Sequence, residues 1–176
     1  MSDVFPILTQ RLLLRRFQPI DCDAFVAYRS DPDVARYQSW SDYTRADADQ
    51  FLIEQASIHF GQLGSWLQIA CVEAQSAQLV GDCALHFLSD GKSIELGFTI
   101  ARQHQGRGYG QEAVQALVRL LLDTLGYKQI KAVTDTRNLP SIHLLESIGF
   151  QLQEAKPSPA FFKGEFCQEW TYILQD

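Results

Sequence analysis

The hydrophobic positions change period along the chain, and each change marks an element. Residues 12–17, three leucines followed by two arginines and a phenylalanine, read as a first strand. Behind Asp21, a residue type suited to an N-cap, Phe25 and Tyr28 lie three apart, so residues 21–30 predict a short helix. Asp31-Pro32-Asp33 breaks the helix and restarts the chain. Residues 34–43 hold several aromatics with no regular period. Thr44 followed three residues later by Asp47 approximates a capping box with Asp in place of Glu. Phe51, Leu52 and Ile58 then fall on the inner side of a helix that ends near Phe60-Gly61.

Three strand candidates follow, at residues 65–73, 78–88 and 92–100. Their separators are short and include Asp90-Gly91, a hairpin signal, so the segment predicts a three-stranded antiparallel meander. Residues 102–110 are polar and glycine-rich. Residues 111–125 carry a wide apolar stripe through Ala113, Leu117, Leu120 and Leu121 and predict a helix, with Gly126 as its C-terminal stop. A strand at 128–134, a helix at 140–147 with Pro140 in its first turn, and a strand at 150–154 come next. A proline-containing loop at 155–164 and a strand at 167–174 end the chain. A strand–helix–strand crossover within one sheet implies a parallel pair. The expected fold is α/β, a single domain over residues 1–176: a mixed, mostly antiparallel sheet with helices on its faces.

Composition fits that expectation. The 176 residues are 46% hydrophobic and 20% charged, ordinary values for one globular domain. The net charge of −6 argues against a nucleic-acid binder, which needs a basic face to neutralise phosphates. No apolar run reaches the length of a membrane span. The first ten residues contain Asp3 and no long apolar stretch, so a secretory leader is not expected and a cytoplasmic location is. Cys22, Cys71, Cys83 and Cys167 form no C-x-x-C pair and have no histidine at ligand spacing; no metal site is expected, and free thiols suit a reducing compartment.

Arg102-Gln-His-Gln-Gly-Arg-Gly-Tyr-Gly110 is the most informative segment. It joins a strand to a helix, and its glycines at positions 106, 108 and 110 let successive backbone amides converge. Those amides, with the positive end of the following helix and the cations Arg102 and Arg107, suit a pyrophosphate. The spacing is not that of a dinucleotide site, the loop follows a meander rather than opening a parallel sheet, and no G-K-[ST] of a P-loop is present. A bare strand–helix connection without a ligand is the competing reading.

Read with its flanks, Gln105-Gly-Arg-Gly-Tyr-Gly110 resembles the Q/R-x-x-G-x-G/A signature of the GNAT superfamily of N-acetyltransferases. Val80-Gly-Asp82 and Ile94-Glu-Leu-Gly-Phe98 stand where similar proteins have strand motifs. Asn138-Leu-Pro-Ser141, Glu146-Ser-Ile-Gly-Phe150 and the early Thr9-Gln-Arg-Leu-Leu-Leu-Arg15 are similar to the Rim-type branch, which acetylates N-terminal amines of ribosomal proteins. The resemblance spans about residues 8–175 and implies a splayed parallel strand pair. It also implies acetyl-CoA as co-substrate and a monomer or homodimer.

By that resemblance, Gln105, Gly106, Arg107, Gly108, Tyr109 and Gly110 hold the cofactor's pyrophosphate. The edge of Phe98, Thr99 and Ile100 pairs with its pantetheine arm, with the Phe98 N–H on the thioester oxygen. Asn138 contacts the cofactor, although an N-cap before Pro140 competes for it. Many superfamily members place a tyrosine acid seven residues after this asparagine; here that residue is Leu145, and Ser141 is the replacement that Rim-type proteins suggest. Glu95 is the candidate base: strand alternation puts it with Gly97 on one face, where helices would half-bury it and raise its pKa. The bland alternative is a hydrogen-bonded Glu on a sheet. His86 on the neighbouring strand is the weaker candidate, more simply a structural residue.

The resemblance places the acceptor side between the N-terminal helical segment and the meander. Residues 21–54 hold eight acids and three bases, so five of the six net negative charges lie there and favour a cationic amine. Trp40 lines an acceptor pocket or plugs the core. The acceptor is an amine, either a protein or peptide N-terminus or a small molecule such as an antibiotic or polyamine. An α-amine asks less of a base than a lysine and is favoured. The loss of the tyrosine keeps open a coenzyme-A-binding sensor without turnover. A nucleotide-binding enzyme is the remaining reading.

Overall fold

The computed structural model describes residues 4–175. Asp3, used above against a leader, lies outside them. Among the described residues nine strands form one sheet: β1 (Ile7–Leu8), β2 (Leu12–Arg16), β3 (Trp66–Glu73), β4 (Leu79–Phe87), β5 (Ser93–Ile100), β6 (Gln129–Asp135), β7 (Gln151–Leu152), β8 (Ser158–Phe162) and β9 (Glu165–Gln175). Their order is β1-β2-β3-β4-β5-β6-β9-β7, with β8 also on β9. All neighbours are antiparallel except β5 and β6. The meander is as expected, extended by β2 against β3.

Five α-helices cover the sheet: α1 (Cys22–Arg29), α2 (Pro32–Ala35), α3 (Arg45–Ser57), α4 (Tyr109–Val118) and α5 (Leu139–Ile148). Alternation along the strands sends two sets of side chains to two cores. Leu67, Ile69, Leu85, Ile94, Leu96 and Ile130 pack with Ala113, Leu117 and Leu121 of the α4 segment. On the other face Ala70, Val72 and Leu79 meet Phe25, Tyr28 and Ala48 of α1 and α3. Each fully buried large aliphatic or aromatic side chain contributes about 1.5–3 kcal/mol.

Four sequence expectations need correction. Asp21 does not cap α1 with its side chain; a 3-10 turn (Pro19–Asp21) precedes the helix, and the carboxylate binds Arg15 at 2.7 and 2.8 Å and the Gln18 N–H at 2.8 Å. α4 starts at Tyr109, inside the glycine loop, and continues from Arg119 to Thr124 as π-helical turns. α3 stops at Ser57 because Ile58 is already extended. The loop at 155–164 contains strand β8, which forms a hairpin with β9 through Lys163 and Gly164, both at positive φ. Pro159 conceals that strand in the sequence, but at a sheet edge a missing N–H costs little.

The parallel pairing of β5 with β6 lasts three residues, from Ser93↔Gln129 to Glu95↔Lys131. Beyond it β5 stays with β4 as far as Ile100, and β6 stays with β9 as far as Asp135. Antiparallel pairing is the stronger per residue, so as the sheet twists the parallel seam opens. The splay leaves backbone edges of residues 96–100 and 132–135 without a strand partner.

Candidate active site

A groove of about 730 Å3 runs from the glycine loop along the open edge of β5 to the start of α5. Its loop end is built from behind by the N-terminal segment. Arg11 donates from its Nη1 to the Arg107 carbonyl at 2.9 Å and lies over the Tyr109 ring at 4.6 Å. Glu112 on α4 holds that arginine through Nε at 2.7 Å and accepts from the Arg11 N–H and the Thr9 hydroxyl. Burial raises the Glu112 carboxyl, but those hydrogen bonds outweigh it and hold the pKa below its ordinary value. Tyr109 is fixed by its hydroxyl to Glu73, and Gln105 donates to the Ile100 carbonyl at 2.9 Å. Gly106 and Gly108 sit at φ +71° and +80°, a region glycine reaches without strain. A Cβ on Gly110 would meet Leu144 Cδ1 at 2.9 Å and Ile100 Cγ1 at 3.3 Å, so α4 begins pressed against both α5 and β5.

A smaller cleft of about 110 Å3 opens where β5 and β6 part. Gly97 and Phe98 form one wall, Val133 and Asp135 another, and Cys167 and Glu169 of β9 its far side. Groove and cleft share Tyr37, Gln38, Phe98, Asn138 and Ser141, which mark the seam between them. Arg137 clamps Asp135 through Nε and Nη2 at 2.9 and 2.7 Å, and those bonds hold the Asp135 carboxyl below the usual range. Burial pushes the Cys167 thiol up, and Asp135 and Glu169 add to it.

The sequence-predicted residues divide into three groups. Phe98, Thr99, Ile100, Gln105, Gly106, Gly108, Tyr109, Gly110, Asn138 and Ser141 line the groove together. Asn138 caps α5, accepting from the Ser141 N–H at 3.4 Å, while also facing the groove. Arg107 contributes a carbonyl held from behind, and its exposed side chain is not in the lining. Arg102, one of the two expected cations, pairs with Asp33 at 2.7 Å and ties the loop to α2. Glu95 and His86 are neighbours on one sheet face, in a row with Trp66 and Lys131, but line neither groove nor cleft. His86 stacks on Trp66 at 4.7 Å, and Glu95 faces Lys131 Nζ at 3.8 Å. Trp40 lies over the Arg29 guanidinium at 3.7 Å and donates to the Arg29 carbonyl at 3.1 Å, in a shallow depression apart from the cleft.

Sequence reasoning missed Tyr37, Gln38, Asp135 and Glu169 as cleft residues and Thr9, Arg11 and Glu112 as the buttress of the loop. Tyr37 lies in the aromatic stretch that drew attention to Trp40. The buttress had a visible signal in the Thr9-Gln-Arg11 motif. Asp135 and Glu169 had none, because 34 positions separate two residues that register places opposite each other. His104 was also missed: its Nδ1 is buried beside the groove without a hydrogen-bond partner, and burial lowers the pKa of the ring.

A splayed parallel pair, an amide-lined loop at a helix start and a cleft at the splay define an acyltransferase architecture. Residues 11–151 match the model of the acetyltransferase (GNAT) domain, and the chain belongs to that family. It is an acetyl-CoA-dependent acetyltransferase. An uncharacterized N-acetyltransferase, p20 of Bacillus licheniformis, is 28% identical over 169 residues, covering 96% of this chain and 94% of the relative. A Vibrio cholerae protein provisionally described as a ribosomal-protein-serine acetyltransferase superposes with a TM-score of 0.83 at 24% identity, covering 100% of both chains. Spermidine N-acetyltransferase of Vibrio cholerae, in complex with CoA and spermine, superposes with a TM-score of 0.79 at 17% identity, covering 94% of this chain and 95% of its own. Among the described residues no helix is long and apolar enough to cross a membrane.

Proposed function

We propose that the protein moves acetyl from acetyl-CoA directly onto a primary amine, a chain N-terminus or a small amine, at the seam between groove and cleft. The observation that carries the reading is the unpaired edge of Phe98, Thr99 and Ile100, which lines one groove with the loop of residues 105–110 that follows a short 3-10 turn (Arg102–His104). The residues present fit coenzyme A. Two positive-φ glycines and the start of α4 suit a pyrophosphate. The strand edge suits an arm carrying amides, which pairs as an added strand. In this reading the Phe98 N–H meets the thioester oxygen, Asn138 meets the cofactor beyond its capping role, and Ser141 supplies a proton to the departing sulfur. A thiolate with a pKa near 8.5 needs only a weak acid. Glu95, held by Lys131 at 3.8 Å and outside the lining of groove and cleft, takes no part in the transfer in this reading.

Leu145, at the position the resemblance gives to a tyrosine acid, is buried in the cleft wall and has no proton to give, so in this reading that part falls to Ser141. Thermal melts of wild type and Gly108→Glu with acetyl-CoA test the groove. A Glu there strains a φ of +80° and sets a carboxylate against the anion. The wild type should melt higher with ligand and the variant should not respond, while its unliganded melt reports its fold. No rise for the wild type at millimolar acetyl-CoA would overturn the groove assignment.

A further inference from the structure

We propose that Glu169 receives the ammonium group of the acceptor and takes its proton, and that the acceptor is a cationic primary amine with no carboxylate beside its nitrogen. The inference rests on the reading of the cleft as the acceptor side of the acetyl-transfer site.

Placement comes first. Register puts Glu169 of β9 directly opposite Asp135 of β6, on the sheet face that also carries Glu95 and Gly97. It is half-buried and lines the cleft with Gly97, Phe98 and Ser141. Charge is the second observation. Two carboxylates opposed across antiparallel strands repel each other. Asp135 is relieved by its two bonds from Arg137. Among the described residues no hydrogen bond or ion pair reaches the carboxylate of Glu169. A half-buried anion without a counterion is costly, and a cationic ligand relieves the cost. The lining is the third. No lysine, arginine or histidine side chain lines the cleft, and the other titratable groups there are Tyr37, Cys167 and Asp135. Tyr37 and Phe162 supply aromatic walls suited to a cation. Glu95 differs on every count: it has Lys131 at 3.8 Å and stands outside the lining. A free amino acid would bring its own carboxylate against Asp135 and Glu169, whereas a chain N-terminus or an alkylamine would not.

The proton balance is simple. The ammonium gives one proton to the Glu169 carboxylate, and the freed lone pair forms the C–N bond to the acetyl carbon. The C–S bonding pair leaves on sulfur, which takes the proton of the Ser141 hydroxyl, and the second proton lost by the nitrogen restores that hydroxyl. Glu169 returns its proton to solvent.

The test is steady-state acetyl transfer to an N-terminally free peptide amide, to spermidine and to free alanine. Wild type, Glu169→Gln, Glu169→Asp and Glu95→Gln are compared at about pH 8. Glu169→Gln should lower kcat/KM about 100-fold, with Glu95→Gln within about threefold of wild type. It should raise the amine KM more than the acetyl-CoA KM and keep the acetyl-CoA melting shift. Glu169→Asp, which keeps a carboxylate on a shorter arm, should regain about tenfold of the lost kcat/KM even if Glu169→Gln folds poorly. A kcat/KM within about threefold of wild type in Glu169→Gln, the larger loss in Glu95→Gln instead, or free alanine as the best acceptor would each overturn the inference. So would a wild type that binds acetyl-CoA yet acetylates none of these amines. A wild type that does not bind acetyl-CoA overturns the site reading itself, a distinct outcome.

Discussion

Asn138 stands where a helix cap and the groove meet. Its Oδ1 caps α5 at the Ser141 N–H, and the residue also faces the groove. Aspartate caps a helix as well as asparagine does, but it lacks the amide donor and adds a charge. Asn138→Asp should therefore melt with the wild type while the acetyl-CoA KM rises several-fold, by about the 1 kcal/mol or more of a lost hydrogen bond. A lower melting temperature with unchanged KM would assign the residue to the helix alone. The same duality explains why sequence could not decide its role: a cap and a ligand contact ask for the same residue type at the same spacing. Glu95 presents the converse. Alternation placed it on the correct face, yet its distance from the cleft and its Lys131 partner depend on where β5 and β6 part.

At the scale of elements, the β8–β9 hairpin was hidden behind Pro159 and became the far wall of the cleft. Its turn is pinned to α2 by Lys163, whose Nζ donates to the Ala35 carbonyl at 2.6 Å and lies 5.6 Å from the Phe162 ring. Burial lowers the pKa of that ammonium. Lys163→Met keeps the apolar stem and removes the bond. It should raise the amine KM a few-fold by loosening the cleft wall and leave the acetyl-CoA KM unchanged, while the lost charged hydrogen bond costs about 1–3 kcal/mol of stability. An equal rise in both constants would place the hairpin outside the acceptor wall. By contrast α3 was legible because its capping box is local: Thr44 accepts from the Asp47 N–H at 3.2 Å, and Asp47 accepts from the Thr44 N–H at 2.7 Å.

At the scale of the molecule, two cores flank the sheet, and the one under α1 and α3 is organised around a charge. Arg29 is buried among Phe25, Trp40, Tyr43 and Phe51, with the Trp40 ring at 3.7 Å and the Phe25 ring at 4.3 Å. Its counterion is Asp82, which also takes hydrogen bonds from Tyr28 and from Gln68. Burial raises the Asp82 carboxyl and Arg29 opposes the rise. Arg29→Met should lower stability by about 3–5 kcal/mol, because Asp82 would then be buried without a counterion. Chemical denaturation would measure this, and a loss under about 1 kcal/mol would show that the aromatic cage packs as well around a neutral chain. The acidic excess of residues 21–54 is partly met by cations from outside the segment, Arg15 on Asp21 and Arg102 on Asp31 and Asp33, so it does not all remain free.

By itself the sequence determined whatever depends on neighbours along the chain. The periods of the strands and helices, the meander turn at Asp90-Gly91, the cap at Thr44 and the amide-rich loop all follow from local sterics and spacing. The family likeness rests on those same ordered motifs. Tertiary structure decided what depends on register and on the choice between partners. It set where the parallel seam opens, that Arg11 and Glu112 buttress the loop from 101 positions apart, and that Asp135 and Glu169 face each other. It also determined that Arg137 closes off one of those carboxylates and leaves the other bare. The physical reason is that local patterning selects which face of an element is apolar, whereas a charge gains its partner only when the chain has returned to it.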